Sequence, residues 1–365
     1  MLTKFVAIVI LIIAKDVWGK QCRLNAKNMD RKWIYAVKNP ANKYELLHTE
    51  MLKDQQKIFL ICKSIKMIQL QCKKGKVSSI PPSITCSRRM RATITAIANE
   101  AACLQKGGAM YDVRYTLPTG KRVLSLYQVC YNKNTEEAIY SRHRAYGFRL
   151  SASTYKRPQF ATGGVVSVAR ADSFEFGNVY NSFVRLLGSG QDYIKSANLS
   201  DRVMERGHLA NSQDFLTYDQ MDETFKYVNV MPQFGSINRR NWKRIENWIH
   251  NLPKNNQYAE VVTGGFEVLE LPHSKTRKST PMYLMVNNKN PIPKWTYKVV
   301  KYNGVCHAFV TYNNPYTNTV ASNSPCLAVP CPTGLTFNPD LGSGPSNCCN
   351  LRYLVQKVGQ QAALC

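Results

Sequence analysis

The sequence predicts an α+β fold in which a central antiparallel sheet is flanked by helices, with a cysteine-bearing region before it and a tail tied by disulfides after it. Three observations predict this. Arg122 to Cys130 alternates in the manner of a strand, Asn132-Lys133-Asn134 has turn chemistry, and Glu137 to Leu150 can return as the partner. Asn238 to Leu252 carries Trp242, Ile245 and Ile249 at spacings of three and four, which packs one face of a helix, and Pro253 stops it. Cys22, Cys62, Cys72, Cys86, Cys103 and Cys130 form an early group and Cys306, Cys326, Cys331, Cys348, Cys349 and Cys365 a late one, with none between.

Taken in order, residues 1–19 read as a secretory signal. Lys4 supplies the positive start, Phe5 to Ala14 is apolar, and Gly19 is a small residue at a cleavage position. The run is shorter than the about 20 residues that span a bilayer, and no later stretch is apolar enough, so a soluble extracellular chain beginning near Lys20 is expected. Residues 20–115 form a basic region with a turn over Ile80 to Thr85 and a helix over Met90 to Gln105. Residues 116–315 hold the strand pair, a loop over Ser151 to Gly164, and a glycosylation acceptor at Asn198-Leu199-Ser200. They continue with a short helical or looped stretch over Leu209 to Phe215, a strand over Thr224 to Val230, the amphipathic helix, and strands over Tyr258 to Leu271 and Trp295 to Tyr312. Residues 316–365, rich in Pro, Gly, Ser and Cys, form the tail. An even cysteine set in an oxidising compartment points to disulfides, with pairing open. The alternative is a zinc site on Cys326, Cys331, Cys348 and Cys349, which adjacent cysteines and a single neighbouring histidine, His307, disfavour.

The formal charge is +26, and about +25 without residues 1–19. Self-repulsion on that scale calls for a polyanionic partner: nucleic acid, a heparin-like glycan or an anionic membrane surface. The basic residues cluster, among them Lys73, Lys74 and Lys76, and Arg239, Arg240, Lys243 and Arg244. The latter group lies on the amphipathic helix and is the expected nucleic-acid contact.

Phosphodiester hydrolysis needs a base to take a proton from water, positive charge for the phosphoryl oxygens, and a neutralised leaving oxygen. Histidine suits the first task near neutral pH, and a hard cation with oxygen ligands suits the others. The segment 205–250 supplies such groups: Glu205-Arg206-Gly207-His208, Asn229-Val230-Met231-Pro232-Gln233, then Asn238, Trp242 and Glu246. This ordered set resembles the DNA/RNA non-specific endonucleases of the ββα-metal (His-Me finger) superfamily, which carry D-R-G-H, then N-x-x-P-Q, then Asn and Glu in this register. The likeness runs from roughly Arg122 to Pro315. In character the chain resembles secreted arthropod nucleases, and in particular the salivary nucleic-acid-binding proteins of blood-feeding flies.

The resemblance implies that His208 is the general base and Asn238 the direct ligand of Mg²⁺, or of Mn²⁺. It implies that Glu246 acts on metal-bound water, that Glu205 belongs to the metal's surroundings, and that Arg206 contacts phosphate. Asn229 and Gln233 would hold the site by hydrogen bonds. Asn238 can also be read as a helix N-cap, and Glu246 as an exposed helix Glu paired with a base. His48, His143, His273 and His307 have no such context and are taken as non-catalytic. Two positions depart from the family: Glu205 replaces its Asp, and His250 stands where an Arg is usual. The expected function is sequence-nonspecific cleavage of DNA and RNA, leaving 5′-phosphates, with turnover reduced by those departures. The alternatives are a high-affinity nucleic-acid binder with little turnover and a glycan- or membrane-binding protein that has inherited the fold.

Overall fold

A computed structural model describes residues 20–25, 29–64, 67–117, 122–147, 150, 156–194, 204–252, 257–317 and 323–365. The expected signal (1–19) and the glycosylation acceptor (198–200) lie outside the described residues.

Alternating β-branched and aromatic residues build the dominant element, an eight-stranded sheet that is antiparallel throughout. The N-terminal region contributes a smaller sheet of β1 (Ile34–Lys38), β2 (Tyr44–Leu46), β3 (Lys57–Ile61), β4 (Ile68–Lys73) and β5 (Lys76–Val77), ordered β2-β1-β3-β4-β5. The large sheet contains β6 (Thr93–Ala96), β7 (Ala109–Thr116), β8 (Val123–Asn132) and β9 (Glu137–Tyr146). After the hairpin β10 (Met204–His208) and β11 (Val230–Phe234), it is completed by β12 (Tyr258–Val268), β13 (Pro293–Tyr302), β14 (Val305–Tyr312) and β15 (Ser346–Cys349). Its order is β15-β14-β13-β12-β9-β8-β7-β6. The sheet therefore draws strands from both sides of residues 116–315.

The expected strand pair forms as β8 and β9, in register Tyr127↔His143, across a turn whose Asn132 side chain accepts from the Asn134 and Thr135 amides. Three local expectations are corrected. Met90 to Gln105 is not one helix: the β-branched run Thr93-Ile94-Thr95 becomes the edge strand β6, and only α1 (Ala101–Leu104) is helical. Thr224 to Val230 is not a strand, because Tyr227–Asn229 is a 3₁₀ turn and the extended run begins at Val230. After α2 (Val168–Asp172), α3 (Phe176–Leu187) and α4 (Tyr218–Asp222), the amphipathic helix is split into α5 (Gly235–Asn238) and α6 (Asn241–Asn251), broken at Arg240, where φ is −113° and ψ −101°. Asn238 thus closes α5 and does not cap α6.

All twelve cysteines pair: Cys22–Cys72, Cys62–Cys86, Cys103–Cys130, Cys306–Cys365, Cys326–Cys349 and Cys331–Cys348. The zinc alternative falls with them. The tail enters the sheet as β15, held to β14 in register Phe309↔Cys348. The N-terminal sheet has its own core around Trp33, Leu47, Leu60 and Cys72. It is joined to the rest by the Arg89–Asp222 ion pair at 2.5 Å and by the Gln220 amide donating to the Leu47 carbonyl. No helix among the described residues is long and apolar enough to cross a membrane.

Candidate active site

The hairpin β10–β11 followed by α5 and α6 gives a β-β-α unit packed on the large sheet. Register sets its chemistry: Glu205 lies opposite Gln233, and His208 opposite Val230. Gly207 permits the tight pairing, since a Cβ there would sit 2.6 Å from the Gln233 amide oxygen and 2.9 Å from its Cβ. Successive strand residues face opposite ways. Arg206 and His208 accordingly share a face, and both lie against Phe160, at 5.5 and 5.3 Å.

The His208 ring is further packed edge-on by Phe225 at 4.9 Å, and its Nε2 is shielded with no hydrogen-bond partner among the described residues. Burial, reinforced by the positive charges of Arg157, Lys298 and Lys243, pushes its pKa down to about 3. It is a neutral imidazole with an uncommitted nitrogen. Asn229 anchors the turn that follows: its amide oxygen accepts from the Ala210 amide at 2.9 Å, while its amide nitrogen donates to the Ala210 and Thr224 carbonyls. Gln233 is fully buried, yet neither amide atom has a partner among the described residues. Asn229 thus makes three side-chain hydrogen bonds at this turn, and Gln233 makes none among the described residues.

Glu205 and Asn238 meet. The Asn238 amide nitrogen donates to Glu205 Oε2 at 2.7 Å, and Arg239 Nε donates to Oε1 at 2.7 Å. The Asn238 amide oxygen accepts nothing from the described residues. Glu246 is buried on α6, and burial raises its pKa even though Lys243 and Lys298 oppose this. Lys243 Nζ lies 3.4 Å from its carboxylate and 3.1 Å from the Gln213 amide oxygen. No hydrogen bond among the described residues joins His208 to Asn238 or Glu246.

No group of three His, Cys, Asp or Glu residues that could cage an ion occurs among the described residues. The donors present are oxygens: one neutral amide and carboxylates already satisfied by bases. That set does not fit a zinc-type cage. It fits a hard, largely hydrated cation such as Mg²⁺, which keeps most of its waters.

Arg206 pairs with Glu175 at 2.6 Å, within a box of Phe160, Phe174 and Tyr227. Glu175 is 63% exposed, so the pair is weak. Of the expected phosphate contacts, Arg240 pairs with Asp340 at 2.9 Å and Arg244 donates to the Thr336 carbonyl, both partners lying in the tail. Lys243 and Arg239 face Glu246 and Glu205 instead.

Sequence reading missed a buried ionisable group beneath the hairpin. Lys298 on β13 is fully buried, donating to Thr263 Oγ1 at 2.8 Å and lying 4.9 Å from the Trp242 ring centroid. Burial lowers its pKa, against the pull of Glu246 and Asp214. Asp214 in turn bonds His143 Nε2 at 2.8 Å. The signal was a Lys set between Tyr297 and Val299-Val300, at a buried position of the strand.

Residues 106–348 match the family model for DNA/RNA non-specific endonucleases. The chain is 29% identical over 262 residues to a salivary endonuclease of Lutzomyia longipalpis, covering 68% of this chain and 61% of that protein. It is 28% identical over 228 residues to salivary protein Tsal1 of Glossina morsitans morsitans, covering 60% of this chain and 55% of that protein. The aligned part is thus under two thirds of these relatives' lengths. A solved EndoG/EndoGI complex aligns at a TM-score of 0.35 and 17% identity, over 64% of this chain and 80% of that one.

Proposed function

The chain belongs to the DNA/RNA non-specific endonuclease family, and from that membership we propose a secreted, Mg²⁺-dependent endonuclease that cleaves DNA and RNA without sequence preference. The observation that carries the reading is His208: a neutral, uncommitted Nε2 held by Phe160 and Phe225 on the first strand of the β-β-α unit. Secretion is supported by the apolar leader, six disulfides and the salivary relatives.

In this mechanism His208 Nε2 receives the proton of the attacking water. Arg206 exchanges Glu175 for a non-bridging phosphate oxygen and fixes the phosphorus in front of that water. Asn229 holds the His208–Ala210 turn so that the imidazole does not drift. Asn238, positioned by Glu205, would hold Mg²⁺ through its amide oxygen, and Glu246 would orient water bound to the ion. Bound Mg²⁺ would supply positive charge to the phosphoryl and leaving oxygens.

Two observations favour a second reading, a tight nucleic-acid binder with slow turnover. Glu205, where the family has Asp, is saturated by Asn238 and Arg239, and His250 replaces a cationic Arg. A single missing electrostatic contact of this type costs roughly 10²–10³ in rate. The test is plasmid and single-stranded RNA cleavage with Mg²⁺, with and without chelator. Cutting should disappear on chelation and in His208→Ala, and cutting that persists in His208→Ala would remove His208 as the base. Glu205→Asp combined with His250→Arg should raise kcat/KM about tenfold or more if the second reading is right.

A further inference from the structure

The strand carrying His143 has a second face. His143 turns toward Asp214 on the side of the candidate site, so Arg142, Arg144 and Tyr146 turn the other way. On that side the large sheet and the N-terminal sheet enclose a cleft of about 440 Å³, whose walls include Tyr44, His48, Arg144 and Tyr146. A second hollow of about 400 Å³ shares Tyr44 and extends over Lys38, Lys57 and Gln69.

The two hollows share Tyr44 in their walls, and basic and aromatic side chains lie along both. Arg122 lies 5.2 Å over the Tyr44 ring, as does Lys38, and Arg144 lies 4.4 Å over Tyr258. Tyr258 in turn packs at 6.3 Å against Tyr146, which stands 6.3 Å from His48. Lys38, Lys57, Arg122 and Arg144 are all exposed, and none has a carboxylate partner within ion-pair distance among the described residues. The opposing charges in the walls are Glu45, 3.6 Å from His48, and Glu260. Residues 20–115 carry 19 Lys and Arg against 6 Asp and Glu, so the surrounding field favours an anion.

Rings and guanidinium planes alternating with cations that lack a carboxylate partner recognise bases and phosphates together. In a duplex the bases are stacked on one another and out of reach of these rings, so the matching occupant is an unpaired strand. We propose that this cleft is a second nucleic-acid site, on the opposite face of the sheet from His208, that holds single-stranded DNA or RNA by base stacking and phosphate contacts. It rests on the reading that the chain engages nucleic acid, and it adds where an unpaired stretch lies and what holds it.

The full chain is mixed, in chelator, with an oligothymidylate a dozen nucleotides long carrying a photoreactive base, and cross-linked peptides are mapped. Cross-links are expected in 38–59 and 122–146. In anisotropy titrations Tyr44→Leu should weaken binding about tenfold, the loss of one stacked base. The exposed change Lys57→Gln, which spares the core, should weaken binding and lower the slope of log affinity against log salt by about 0.7. A strand lacking bases should bind less tightly than the oligothymidylate and be indifferent to Tyr44→Leu. Cross-links confined to 205–246, or equal binding of the strand without bases and of heparin, would overturn the proposal while leaving the nuclease reading intact. Failure to retain any nucleic acid at low salt would overturn both.

Discussion

At the residue scale, His208 is set by what surrounds it. Two phenyl rings and three nearby cations keep its imidazole neutral, with a pKa near 3 against an ordinary 6.5. The base form is therefore present across the physiological range without help from a carboxylate. The same burial carries a stability cost with a definite sign. Below pH 6.5 the unfolded chain accepts a proton that the folded His208 refuses, so stability is lost as pH falls from 6.5 toward 3. Replacing His208 by Asn should make the variant progressively more stable relative to wild type on acidification, by up to about 1 kcal/mol per pH unit after allowing for partial exposure. Parallel denaturant titrations at pH 7, 5.5 and 4.5 measure this, and a difference that stays flat with pH would contradict the assigned burial. The motif residues were legible in the sequence because they carry chemistry at fixed spacing. Gln233 was among them, but the close approach of its side chain to Gly207 was not legible, because no spacing reveals it.

At the element scale, the site depends on a helix that the sequence presents as continuous and the structure divides. The apolar positions Trp242, Ile245 and Ile249 do pack inward, as their spacing requires. Arg240 leaves helical geometry, however, and Asn238 ends a separate short turn that delivers its amide to Glu205. Periodicity cannot detect such a break, because both segments keep the same buried face. Trp242 fills the space between α6 and Lys298. Trp242→Ala should cost about 3–5 kcal/mol by leaving a cavity there. It should also lower cleavage at temperatures where the fold persists, and a chemical denaturation curve unchanged from wild type would refute this packing role.

For the molecule as a whole, charge and covalent ties act on different terms. A net charge of +26 opposes compaction, while six disulfides restrict the unfolded chain and offset that repulsion. Both surfaces discussed, the candidate site and the cleft on the opposite face, lie in the same positive field. Retention of duplex DNA should therefore fall steeply with salt. Six to ten phosphate contacts predict a loss of roughly 10³–10⁵ in affinity between 50 and 200 mM salt, read by filter binding in chelator. A shallow slope would mean that the excess charge is not engaged.

Composition, cysteine grouping and the ordered run from Glu205 to Glu246 were enough to determine the fold class, the family and the residues to inspect, because each is a local property of the chain. The disulfide pairing, the break at Arg240, the buried Lys298 and the cleft beside Tyr44 were decided only by tertiary structure. Apart from the break, each is a contact between segments far apart in sequence, such as β13 against α6 or β2 against β8, and its energy exists only once those segments are brought together. The same holds at His208: its place in the sequence marks it as the proposed base, and the rings and cations folded around it keep it neutral.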